Sequence, residues 1–328
     1  MQGFGEINEF LKSYVKSLYG ISGFELGKYI EKMDVIYEIG TKSYLEGTQY
    51  FKNIESVLLP SKKITIEETL SLVFTYFKTI DSSFVKKLEQ ACRSGIIHFT
   101  RQDDLEKLDY NETNYYLFEN LAGIFNSNYL INIVLEETIA DAFTLVHEFS
   151  HYKNISIKEE YSLGYLLFTE GYAHMFETDF YLYLLNTNWK REASIYYQGL
   201  LLSLLNRTST YIREYSILDT FLTYQKITNK SIYRACKEYA NPKNGIKMQL
   251  ETINEVLEKL NKPSYYFLED IPYVLGLSFS KEVRKQFLQD KELFLEEYET
   301  LENRDKEYYY KKYIKGSSLE NLYQLPRK

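Results

Sequence analysis

Apolar residues recur at helical spacing through most of this chain, and little interrupts them. Five prolines, at positions 60, 242, 263, 272 and 326 of 328, leave long stretches free to form helix. In 68-ETLSLVFTYFKTI-80, Leu70, Val73, Phe74 and Phe77 fall on one stripe. The segment 281–314 mixes charges of both signs around an apolar face and predicts solvated helix. One place breaks the rhythm. In 129-YLINIVLE-136, the β-branched residues Ile131, Ile133 and Val134 cluster, which predicts a strand. Thr138 follows, with Asp141 three positions later, a capping signal for a new helix. There is no internal repeat and no low-complexity linker. Charge and asparagine gather over 105–125, which sets a soft boundary between an N-terminal helical lobe, 1–120, and a second lobe, 121–328, unless one domain is continuous across it.

Composition excludes more than it assigns. The formal net charge is −7 and no basic block occurs, so neither nucleic acid nor an anionic membrane is expected as a partner. Two cysteines, Cys92 and Cys236, lie far apart in sequence and make neither a disulfide framework nor a cysteine-type metal site. Reduced thiols in a cytoplasmic protein are the expectation. The first twenty residues lack a signal peptide's apolar core, and no apolar run reaches the roughly 18 residues of a membrane span. The 33 tyrosines are expected to fill core, and sequons such as the one at Asn206 to be chance.

The helix announced at Thr138 contains 144-TLVHEFSHYK-153. Side chains at i and i+4 of a helix are neighbours, so His147 and His151 point the same way, as two ligands of one zinc ion must. Glu148 lies at the edge of that face, where a carboxylate can reach a metal-bound water as general base. Only four histidines occur, and Phe143, Leu145, Val146 and Phe149 surround the motif with apolar bulk. Three polar groups converging inside such a helix need a reason, although histidines satisfied by core neighbours would also give the pattern.

A third ligand is needed. The apolar segment 161-YSLGYLLFTEGYAHMFETDFYLYLL-185 offers Glu170, 23 residues after His147, with His174 and Glu177 on the same helical face. Carboxylates in such a segment are costly unless paired or bound to a cation. Glu170 is therefore the expected third ligand of a single zinc ion. Glu177 is expected behind it, accepting the free N–H of a ligating imidazole.

These residues resemble the zinc core of the thimet oligopeptidase and oligoendopeptidase F family. That family carries HExGH and a third-ligand glutamate that begins a similar run with a second glutamate seven positions on. The stretches 79–99, 130–151, 271–283 and 312–325 are similar to the family in the same order, so the resemblance covers roughly residues 65–328. It implies a two-lobed, mainly α metallopeptidase fold with a small antiparallel sheet beside the zinc helices. It implies a zinc metallopeptidase, expected to be an endopeptidase, that acts on oligopeptides or flexible, unfolded polypeptide segments. The family's strand is a sheet edge that pairs with bound peptide, which makes Tyr129, Ile131 and Ile133 the expected substrate-binding residues. Its tyrosine-bearing segment maps onto Tyr273, with Tyr266 or Tyr265 as further hydroxyl donors to a developing oxyanion.

Two departures stand out. Ser150 replaces the family's usual glycine, and a serine is small enough for the packing to survive. The region 261-NKPSYYFLEDIPY-273 lacks the family's oxyanion histidine, for which His174 is a substitute candidate. Only 146 residues precede His147, fewer than in the family, so a more open groove is expected. A metal-binding relative that captures peptides without cleaving them, and a peptidase dedicated to one protein, remain alternatives. The sequence is silent on oligomeric state.

Overall fold

The structure is a computed structural model that describes residues 3–19, 23–52, 58–109, 115–125, 128–154, 163–237, 239–260, 262, 267, 268 and 270–300. In chain order the helices are α1 (Phe4–Tyr19), α2 (Gly23–Phe51), α3 (Ile66–Ile80), α4 (Ser82–Arg93), α5 (Gln102–Leu105), α6 (Ile139–Asn154), α7 (Leu163–Leu184), α8 (Lys190–Tyr224), α9 (Asn229–Ala235), α10 (Pro242–Lys259), α11 (Ile271–Gln289) and α12 (Lys291–Glu299). The strands are β1 (Ile97–Thr100), β2 (Leu121–Phe125) and β3 (Asn128–Val134). The molecule is thus mainly helical with one small sheet. Among the described residues no helix is long and apolar enough to cross a membrane.

The chain forms two compact units, and each is assembled from two stretches. The first comprises Met1–Thr48 and Leu204–Leu275, the second Gln49–Ser203 and Gly276–Lys328. This differs from the lengthwise cut near 120 expected from composition. The polar stretch around that position is a connection within the second unit. The real boundaries fall inside the long helices α2, α8 and α11, where no change of composition marks them.

In the first unit, Asn8 ties α1 to the turn after α8: its Nδ2 donates to the Ile227 carbonyl at 2.9 Å and its Oδ1 accepts from the Ile227 N–H at 2.7 Å. Phe267 meets Phe10 and Tyr14 edge-on at 5.4 and 5.1 Å. The Tyr215 hydroxyl donates to Asp34, and Thr220 and Gln249 pair in the buried interior. Asn241 caps α10, with Pro242 at its first turn supplying a φ already suited to helix.

The second unit holds the sheet and an aromatic core. A capping box at Thr65 and Glu68 starts α3, and Asp81 starts α4 by accepting from the Ser83 N–H at 2.7 Å. Of the stripe expected on α3, Val73 and Phe77 are buried, joined by Thr69, Tyr76 and Ile80, while Leu70 and Phe74 are half-buried. Phe77, Phe84, Phe149 and Phe176 are completely buried and meet ring to ring within 6.0 Å. Each such ring contributes about 1.5–3 kcal/mol of burial free energy. Two of the four come from α6 and α7, so the core presses those two helices together from behind.

The sheet has the order β1-β3-β2. β2 runs antiparallel to β3, as expected, but β1 runs parallel to it, with Ile97 opposite Ile131. The sheet is therefore mixed. β3 is its centre, not its edge. Ile131 and Ile133 are completely buried, and Asn132 between them is also fully buried. Asn132 accepts from Thr100 Oγ1 at 2.7 Å and donates to the Leu117 and Glu119 carbonyls at 3.2 and 2.9 Å.

Candidate metal centre

The helix start expected at Thr138 is present, in a modified form. The Thr138 hydroxyl accepts from the Ala140 N–H at 3.3 Å, but the Asp141 carboxylate reaches past it to the N–H groups of Glu136 and Glu137 at 2.9 and 3.0 Å. Those bonds hold the sharp turn from β3 into α6, in which Glu137 has φ 56°. Two turns later His147 and His151 stand one above the other, with Nε2 atoms 3.1 Å apart. Phe143, Val146 and Phe149 are completely buried around them. Ser150 donates its hydroxyl to the His147 carbonyl at 2.7 Å, so the extra polar atom is satisfied within its own helix. Tyr298 donates to the Ser150 carbonyl at 2.5 Å and closes the last turn.

α7 supplies the carboxylates. Glu170 places Oε2 3.4 Å from His147 Nε2 and Oε1 3.5 Å from His151 Nε2. One turn and two turns on, His174 and Glu177 are both 3% exposed, too buried to be solvated positions. Glu177 Oε2 lies 2.6 Å from His174 Nδ1 and 3.3 Å from His147 Nδ1. The close approach of α11 to this face requires glycine at two places. A Cβ on Gly171 would lie 1.8 Å from Phe279 Cδ1, and a Cβ on Gly276 2.6 Å from His174 Cδ2.

The electrostatics of this group are those of a cation site. Burial opposes charge on His147, but Glu177 and then Glu170 outweigh it, so its pKa lies well above the usual imidazole range. Burial likewise opposes charge on Glu170 and Glu177, and the imidazoles overcome it, holding both carboxyls low. His151 is kept neutral, chiefly by burial. Glu170 and the buried Glu177 thus face the His147 imidazolium. Glu170 Oε2 is buried and makes no hydrogen bond of normal geometry. Nitrogen and oxygen donors about 2.1 Å from a four-coordinate ion lie about 3.4 Å from one another. The observed separations of 3.1, 3.4 and 3.5 Å match that spacing, and the three side chains are 12–14% exposed. His147, His151 and Glu170 fit a metal ion, and His147, His174 and Glu177 form a second such group.

Glu148 lies beside the ligands and is buried. Burial, reinforced by Glu170 and Glu177 and opposed by His147, pushes its carboxyl up to about 7. Tyr196, which sequence reasoning missed, stacks on Phe143 at 4.3 Å; burial and then Glu177 push its phenol well above the usual range. Gly171, Gly276 and Tyr298 were also not legible, because their roles depend on which helix comes to lie against α6 and α7.

The remaining expected site residues are not on α6 or α7. Ile131 and Ile133 cannot contact a peptide, since they are core residues of a central strand, while half-buried Tyr129 packs on Tyr152 with ring centroids 4.9 Å apart. β1 pairs with β3 over residues 131–134 and β2 over residues 128–132, so both partners are present at Ile131 and Asn132. Tyr273 belongs to the other unit, where the Arg207 guanidinium sits 3.9 Å from its ring centroid and Arg207 pairs with Asp270 at 3.0 Å. Tyr265 and Tyr266 lie outside the described residues.

No family model and no curated protein matches the chain. Among solved structures it is similar to one titled a "putative peptidase" from Chlamydophila abortus, with a TM-score of 0.52 and 15% identity over 83% of this chain and 48% of that one. The chain thus spans about half the length of the protein whose fold it shares.

Proposed function

We propose that this chain is a zinc-dependent metallopeptidase that hydrolyses peptide bonds in oligopeptides or flexible polypeptide segments. The observation that carries the proposal is the convergence of His147, His151 and Glu170, from two helices, at ligand spacing with Glu148 beside them. A fold shared with a structure titled a peptidase supports the same conclusion. Two imidazoles and one carboxylate suit zinc. When bound, the ion would supply Lewis-acid polarisation of a scissile carbonyl and of a water molecule.

The protein's own groups do the rest. Glu148 takes a proton from the attacking water and returns it to the leaving amine. Glu177 accepts from Nδ1 of His147 and fixes the tautomer that leaves Nε2 free to ligate. An extended peptide adds along a sheet edge, for which β1 or β2 is the available strand.

One observation favours a second reading, a metal-binding relative that captures peptide without turnover: residues 261–273 hold no histidine. Restriction to one protein substrate is a narrower form of the first proposal. Cleavage of a quenched peptide library by zinc-loaded protein separates them. Turnover that falls by about 100- to 10,000-fold in Glu148→Gln, with metal retained, supports the peptidase. Equal turnover in wild type and variant overturns it, and a zinc-loaded wild type that binds the peptides but cleaves none supports the second reading.

A further inference from the structure

We infer that His174 is a positioning residue of the metal centre and that Gly276 is glycine to make room for it; the inference rests on the metal site proposed above. A single oxygen, Glu177 Oε2, faces two imidazoles, at 2.6 Å from His174 Nδ1 and 3.3 Å from His147 Nδ1. If His147 ligates through Nε2, its Nδ1 carries the proton and points at that oxygen. His174 then donates its own Nδ1–H to the same atom, whose two lone pairs accept both. A carboxylate held only by His147 could swing about its side-chain torsions. One held also by His174, a ring 3% exposed and packed 5.3 Å from the His147 ring, presents a fixed acceptor. The backbone of α11 completes the arrangement. A Cβ at 276 would stand 2.6 Å from His174 Cδ2 and 3.3 Å from its Nε2, and would drive the ring off Glu177.

This assigns His174 a task different from substituting for the missing oxyanion histidine. Its Nδ1 is engaged by Glu177, and its Nε2 is buried on the side of α11, where a Cβ on Gly276 would lie 3.3 Å away.

The test is zinc affinity, measured by competition with a chromophoric chelator, with circular dichroism to confirm folding. His174→Leu fills the cavity but removes the donor; it should lose about 10- to 100-fold in affinity. His174→Asn packs worse, yet its amide nitrogen sits as many bonds from Cβ as Nδ1 does, so it should bind close to wild type. A residue that matters only for packing gives the opposite order, because leucine is the better space-filler in a buried site. Gly276→Ala should weaken zinc binding in the wild-type background and have little further effect in His174→Asn, whose smaller side chain leaves the added methyl room. Wild-type affinity in His174→Leu, or an Asn variant weaker than the Leu variant, overturns the inference and leaves the metal site intact. A wild-type chain that binds no zinc overturns the metal site itself.

Discussion

Gly171 gives the sharpest test of how α7 and α11 pack. An alanine there puts its Cβ 1.8 Å from Phe279 Cδ1 and 2.7 Å from Cγ and Cε1. Carbon atoms in contact prefer about 3.5–4.0 Å, so the ring or a helix must retreat by about 1.7 Å. Phe279 is completely buried and meets Tyr172 at 5.4 Å, which leaves it no free side to turn into. Overpacking of this kind costs about 1–3 kcal/mol and occasionally more. Alanine's helix propensity opposes it by about 1 kcal/mol. An overlap this large belongs at the top of the overpacking range, so Gly171→Ala should be destabilised by about 2 kcal/mol net. The assay is urea denaturation of chelator-treated protein followed by circular dichroism, alongside Phe279→Leu and the double variant. The smaller ring-free side chain should recover part of the loss, with a coupling of about 1–2 kcal/mol between the two sites. If the two units unfold separately, the shift belongs to the transition of the unit holding both residues. A Gly171→Ala protein as stable as wild type, or additive effects in the double variant, would refute the packing described.

Other outcomes follow from the same structure. Zinc binding should release protons near neutral pH, because the metal-free site holds one on His147 and, below about 7, another on Glu148. Since His147 has a raised pKa, its proton competes with the metal, and apparent affinity should fall about tenfold per pH unit of acidification for each proton displaced; calorimetry in buffers of different ionisation enthalpy checks the sign. Asn132→Leu should cost about 1–3 kcal/mol, because the Thr100 hydroxyl and the Leu117 and Glu119 carbonyls lose a buried partner, and a thermal melt equal to wild type would contradict the network.

What could be read from the sequence was set by local rules. The i, i+4 spacing of His147 and His151 forces them together in any helix, and Glu170, His174 and Glu177 share a face of α7 for the same reason. That the two helices meet was inferable only from the cost of burying so many polar groups apart. The sheet was harder. Ile131 and Ile133 alternate as an edge strand would, and Asn132 between them looks solvent-facing. It is instead buried and hydrogen-bonded on the far face, so a polar residue concealed a central strand. β1 and β2, with four and five residues, are too short to show a period, which hid the parallel partner. The expected helix over 281–314 is cut at Asp290, whose carboxylate caps α12 instead of continuing α11, and its part over 301–314 lies outside the described residues. The division into units escaped because it is made by long-range packing and not by composition.

Three side chains, those of His147, His151 and Glu170, are proposed to close around one cation, and the metal content of the purified chain tests that most directly. After equilibration in a zinc buffer and gel filtration, elemental analysis should find about one zinc per wild-type chain and almost none in a folded His151→Ala variant. A wild-type chain without stoichiometric zinc, or a His151→Ala chain that retains it, would contradict the site.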